Sequence, residues 1–186
     1  SSKKIALIDL SIPALRKLTA PEYERFIEIT RWLIASDGSV NIFEFMLQKM
    51  VERHLASYYE RKGNVRVKYN ELSKLIYEAN VLLTTMAGIG ANSHESVQSA
   101  YQSAVKDLRY ELGGDTTLLP PDQCGLKQVD TALEKIELAS PIVKKQLIHA
   151  CGVAVMNDGI LENNEAEMLR AVADSIGCSI PPFVKL

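Results

Sequence analysis

Asp37-Gly-Ser-Val-Asn-Ile-Phe-Glu44 and Asp158-Gly-Ile-Leu-Glu-Asn-Asn-Glu165 share one pattern, 121 positions apart. Each runs Asp, Gly, any residue, an apolar residue, three more, then Glu. Glycine accepts the left-handed conformation that closes a helix. Asn41-Ile-Phe-Glu44 then reads as a capping box that opens the next helix. Glu162 and Glu165 put negative charge at a helix start, where the backbone dipole favours it. Each octapeptide is therefore the joint of a helix–loop–helix pair.

The likeness extends outward from the joints. A shift of 121 positions lays Ile27, Asp37, Gly38, Glu44 and Val51 on Ile148, Asp158, Gly159, Glu165 and Val172. Apolar character is kept at Phe26/Leu147, Leu33/Ala154, Ile34/Val155, Val40/Leu161, Leu47/Met168 and Leu55/Ile176. The identities in the loop, together with flanking matches in helical phase, read as an internal pseudo-twofold repeat. Its halves span about 19–58 and 140–178, with a divergent middle over 59–139. Each half alone has too little apolar face to bury, so residues 1–186 are read as a single domain.

The remaining punctuation is also helical. Ile5 to Leu18 is apolar-rich, and Pro13 suits the first turn of a short helix. Thr19-Ala-Pro-Glu22 is a capping box opening a helix with Tyr23, Phe26, Ile27, Leu33 and Ile34 on its buried face. The helix after Asn41 buries Phe43, Met46, Leu47, Met50 and Leu55, and Trp32 with the Phe43/Phe45 pair reads as core. An exposed aromatic among these three would mark a partner surface. Val65 to Tyr69 alternates as a short extended piece. Asn70 caps a helix running to about Gly88, and Ser93 caps another ending at Gly113-Gly114. Leu118 to Asp122 is a linker. Helices follow from about Leu126 to Ala139, from Ser140-Pro141 to Asp158-Gly159, and through Met168, Leu169, Val172 and Ile176. The Ile180-Pro-Pro-Phe183 tail cannot be helical throughout. The sum is an all-α bundle of about eight helices.

Composition narrows the function classes. Lys and Arg number 21 against 23 Asp and Glu, a net charge of -2. No basic excess points to nucleic acid. No apolar run is long enough to span a bilayer, so no membrane insertion is expected of this segment. Three cysteines without a C-x-x-C pair argue against a disulfide framework and a zinc knuckle. His54, His94 and His149 lack the spacing of a helical zinc pair, and there is no H-E-x-x-H, G-x-S-x-G or phosphate loop. Cys151 reads as core and His149 as a surface residue. No catalytic residues and no cofactor are expected of this chain.

The repeated octapeptide leaves two readings open. It matches the second half of an EF-hand loop, with the turn glycine, the apolar residue and a final Glu able to bind bidentately. The first half fails, because Leu33 and Ala35, or Ala154 and Met156, stand where acidic ligands belong. A hard cation wants six to eight oxygens, and each loop offers about half that. Capping and core plugging by Val40 or Leu161 account for the pattern without a metal. A divalent-cation site pooled from both loops would draw on Asp37, Glu44, Asp158, Glu162 and Glu165, with Glu167 nearby.

The paired Asp-Gly…Glu helices resemble TerB-like (tellurite-resistance) helical domains. Leu7-Ile-Asp-Leu-Ser-Ile-Pro-Ala-Leu-Arg-Lys-Leu18, Ser36-Asp-Gly with Phe43-Glu-Phe45, and Glu165-Ala-Glu-Met-Leu-Arg170 with Ile176-Gly-Cys-Ser-Ile-Pro-Pro182 are similar to a more specific group. That group is the C-terminal region of HtpX-like bacterial membrane zinc metallopeptidases. The likeness spans most of the chain, with a divergent middle. It implies a non-catalytic accessory domain of a longer protein, on the cytoplasmic side and tethered to the inner membrane through upstream transmembrane helices. Zinc would belong only to the upstream peptidase domain, and the absence of an initiator Met agrees with an upstream segment. The implied partner is another protein or the attached peptidase domain. The TerB-like resemblance also implies metal binding at Asp37, Glu44, Asp158 and Glu165. The second loop departs from the first in having Glu162 where the first has Asn41.

Overall fold

The computed structural model describes residues 4–36, 41–60, 66–112 and 116–178. Among them the fold is all-helical, with eight helices of at least 12 residues. The chain divides into two compact units, residues 1–65 and 66–186. No helix among the described residues is long and apolar enough to cross a membrane.

The first unit holds α1 (Lys4–Leu15), α2 (Ala20–Ser36) and α3 (Ile42–Tyr59). Both α1 and α2 pack on α3. Ile12, Tyr23, Ile27 and Leu55 form the core, with Ile8, Leu15, Phe26 and Val51 packed around it. The reciprocal half of the Thr19 capping box forms: Glu22 reaches back, and Thr19 N–H and Oγ1–H both donate to its Oε2 at 2.7 Å. Asn41 Oδ1 accepts from Glu44 N–H at 3.0 Å and so caps α3. The rings of Tyr23 and Tyr59 stack at 4.3 Å. Tyr23 donates to Glu60 Oε1, and the Tyr59 hydroxyl lies 2.8 Å from the Leu15 and Leu18 carbonyls. These contacts tie the start of α2 and the exit of α1 to the end of α3.

Pro13 departs from expectation. It sits in the last turns of α1 rather than at a helix start. A proline there leaves the carbonyl four residues back without its helical donor. That residue, Asp9, is exposed, as is Pro13, so water can replace the donor.

The second unit is built around α4 (Ile76–Ala87), which packs against α5 (His94–Asp107), α7 (Leu126–Glu137) and α8 (Pro141–Val155). A four-residue α6 (Arg109–Leu112) follows α5, and α9 (Asn163–Ser175) packs on α8. Nine of the twelve α4 residues are buried, as expected of a helix enclosed by neighbours. Its polar side chains are matched. Lys135 Nζ lies 2.5 Å from Glu78 Oε1. Asn80 takes the Tyr101 hydroxyl and donates to the Thr117 carbonyl at 2.9 Å. Thr84 Oγ1 accepts from Leu119 N–H at 3.3 Å. The linker of residues 116–119 is thereby held on α4.

The expected helix at Asn70 begins later. Lys68 N–H donates to the Leu138 carbonyl at 2.8 Å, and Ser140 N–H donates to the Tyr69 carbonyl at 2.8 Å. This backbone pairing keeps 66–70 extended, so a single 3-10 turn at Leu72–Leu75 precedes α4. The expected helix from Ser93 to Gly113 breaks at Leu108. Leu108 and Leu112 are both buried there. Helix starts at residues 20 and 42 recur at 141 and 163, the same 121-residue offset as the octapeptides. The Ile180–Phe183 tail lies outside the described residues.

Candidate functional site

The second octapeptide is a compact polar joint between α8 and α9. Gly159 has φ +80°, which frees the chain to leave α8 and turn. Asp158 Oδ1 accepts from Ile160 N–H at 2.9 Å and fixes that turn. Glu165, in the first turn of α9, reaches back, and its Oε2 accepts from Glu162 N–H at 2.8 Å. Its other oxygen packs against Gly90 in the α4–α5 loop, where φ is +75° and a Cβ would collide with it. Glu165 is buried, whereas Asp158 and Glu162 are exposed. Burial raises the Glu165 pKa. The Glu162 N–H opposes this, and the Asp158 and Glu162 charges add to the rise.

The corresponding residues of the first octapeptide are differently placed. Glu44 is exposed on the first turn of α3, and Asp37 lies outside the described residues. Glu167 is buried two residues beyond Glu165, and its Oε2 has no hydrogen-bond partner. Two positions along a helix is more than half a turn, so Glu165 and Glu167 take different faces. Among the described residues, no three His, Cys, Asp or Glu side chains are grouped to hold a metal ion. What the α8–α9 joint does chemically is cap a helix and lock it against the α4–α5 loop.

The cysteines follow the sequence reading. Cys151 is fully buried, and burial pushes its thiol up to about 12. Burial also raises Cys124 and Cys178, so neither thiol is activated. His149 is exposed on α8.

A second candidate lies in the first unit, and here the core assignment needs correction. Trp32 is 66% exposed and Leu33 is 52% exposed. The reason is helical phase. Trp32 follows Tyr23 by nine residues, two and a half turns, and so points away from the face that Tyr23 buries. Leu33 lies on the flank between. Phe45 is buried, while Phe43 is half-buried with Lys4 Nζ 5.5 Å from its ring centroid. Ile8, Phe26, Thr30, Leu33, Leu47, Gln48 and Val51 line an open apolar groove of about 270 Å³ between the three helices. Ile29 lies one turn before Leu33 and is also exposed. On α1, Leu7 and Leu10 are 64% and 77% exposed. Counting apolar residues alone hid this surface; plotting each against the helical phase of Tyr23 and Ile27 would have shown it. Compared with protein-family models, curated proteins and solved structures, the chain matches none.

Proposed function

We propose that this chain is a non-catalytic accessory module that works by protein interaction. The carrying observation is the exposed apolar surface of the first unit, Trp32, Ile29, Leu7 and Leu10, together with a groove lined almost wholly by carbon. Patches of this kind on a soluble surface mark contacts with other molecules. The resemblance to the C-terminal region of membrane zinc metallopeptidases supplies the setting: a cytoplasmic accessory domain that regulates an attached peptidase. We infer further that the two helix–loop–helix pairs are diverged copies. The shared 121-residue offset of their helix starts supports that reading.

The test has two stages. The coding sequence upstream of Ser1 is read for membrane spans and an H-E-x-x-H helix. Trp32→Glu is then introduced into the full-length protein. The expected result is an unchanged zinc site with altered substrate choice or abundance. An upstream start codon with no peptidase would remove the peptidase setting. Unchanged activity, abundance and partner set in the variant would remove the interaction reading.

A further inference from the structure

Helix α1 turns one side into the first unit and the other outward. Ile12 belongs to the core, with Ile8 and Leu15 packed against it. The opposite side carries Ala6, Leu7, Leu10, Pro13 and Ala14, all exposed, Leu7 at 64% and Leu10 at 77%. These five recur at spacings of three and four residues along a single helix, so the backbone alone puts them in one stripe. Inner and outer sides of α1 are thus both apolar. Helices apolar all round are found enclosed, in a protein core or in lipid.

The charges around the stripe are mostly of one sign. Lys4 stands one turn before Leu7 and Lys17 one turn past Ala14, both exposed, and exposed Arg16 is at the same end as Lys17. Asp9, the one acidic side chain of α1, lies about 100° round the helix from Leu10, off the stripe. Residues 1–65 hold ten Lys and Arg against eight Asp and Glu, whereas residues 66–186 hold 11 against 15. In a chain of net charge -2, the positive excess therefore lies in the first unit.

We propose that α1 docks flat on an anionic phospholipid surface, with Leu7 and Leu10 in the boundary between headgroups and acyl chains and Lys4, Arg16 and Lys17 among the lipid phosphates. This goes beyond the interaction reading above, which still has Trp32, Ile29 and the groove. Size favours lipid over a protein partner for this stripe. A strip one helix wide, about 18 Å long and roughly 10 Å across, is far smaller than the about 800 Å² per partner of a standard protein interface. A bilayer sets no such threshold, because binding accumulates with each buried apolar group and each basic residue. Each Lys or Arg near an anionic surface strengthens binding roughly fivefold. With 12 residues, α1 is too short to cross a bilayer and would lie along its surface.

Flotation of the full chain with phospholipid vesicles tests this. Vesicles of equal parts phosphatidylcholine and phosphatidylglycerol should bind the chain at least tenfold more tightly than vesicles of phosphatidylcholine alone. Raising salt from about 0.1 M to about 1 M shortens the screening length from about 10 Å to about 3 Å and should release most of the chain. Leu10→Glu, and separately Lys4→Glu with Lys17→Glu, should each weaken binding at least tenfold. Circular dichroism should stay native, since all three side chains are exposed. A photo-crosslinker in place of Leu10 should label phospholipid, a readout that stands even where a charge change disturbs the fold. Failure to float with anionic vesicles, equal binding to neutral ones, or binding indifferent to both α1 changes would each overturn the inference. Crosslinks from position 10 to a second copy instead of lipid would make the stripe a protein contact and overturn it too. No other protein is present in this assay, so its failure leaves the reading built on Trp32 and the groove to its own test.

Discussion

Glu165 carries two separable jobs, and substitution distinguishes them. Its ionised form is disfavoured by burial and by the neighbouring Asp158 and Glu162 charges. The folded state therefore holds its proton more tightly than the unfolded chain does. Stability is lost as pH rises from the ordinary value of 4.5 through the raised one. Glu165→Gln keeps an acceptor for the Glu162 N–H but removes the charge. It should melt higher than wild type at neutral pH, and the gap should close below the ordinary glutamate range. A constant gap in thermal melts across pH would contradict this account. The same variant bears on the cation reading: with the carboxylate spent on capping, millimolar calcium should leave the melting temperature of wild type and variant unchanged. A rise lost in Glu44→Gln plus Glu165→Gln would restore that reading. Gly90→Ala probes the other oxygen. The substitution meets two penalties, a positive φ and the Glu165 contact. Denaturant melts should show a loss of about 2–4 kcal/mol. In a Glu165→Ala background the contact is gone, and about 1–2 kcal/mol should remain for the left-handed backbone.

At the scale of elements, caps and joints were the most legible features. Asn41, Ser93 and Ser140 each accept a first-turn N–H at a helix start, and Glu22 reaches back to Thr19 N–H at another, because such caps are local events. The start of α4 was not legible. Asn70 has the chemistry of a cap, but the backbone of 68–69 is claimed by the turn at 138–140, a pairing across about seventy positions. Trp32 has the hydrophobicity of a core residue at an outward helical phase, so its exposure is not visible from residue type alone. The Tyr23–Tyr59 stack was equally hidden, since it depends on where α2 and α3 meet. It leads to a pH prediction. Burial and Glu60 push the Tyr23 hydroxyl up to about 12 from its ordinary 10. The folded state keeps this proton longer, so the contribution is whole below pH 10 and is lost as pH climbs through 12. Tyr23→Phe should start less stable by about 1 kcal/mol. It should then lose less than wild type over that alkaline span, as followed by circular dichroism at 222 nm.

For the whole molecule, the question is whether the two units stand on separate cores. The all-helical class is readable because most long apolar runs repeat at helical spacing and the caps between them are those of helices. The candidate carboxylates were readable as a motif, but their use was not, because burial at Glu165 and exposure at Glu44 depend on what packs over each joint. The second unit encloses α4 on several sides and satisfies Glu78, Asn80 and Thr84 internally. The first unit has a small core cluster, Ile12, Tyr23, Ile27 and Leu55, and leaves Leu7, Leu10, Ile29 and Trp32 exposed. A three-helix unit of 65 residues is near the lower limit for independent stability. Residues 66–186 expressed alone should therefore retain helical circular dichroism and melt cooperatively. Residues 1–65 alone should melt well below them. A melt of the shorter fragment as high as that of the longer one would mean that its three helices need no cover. The exposed face would then lose its energetic argument as an interface.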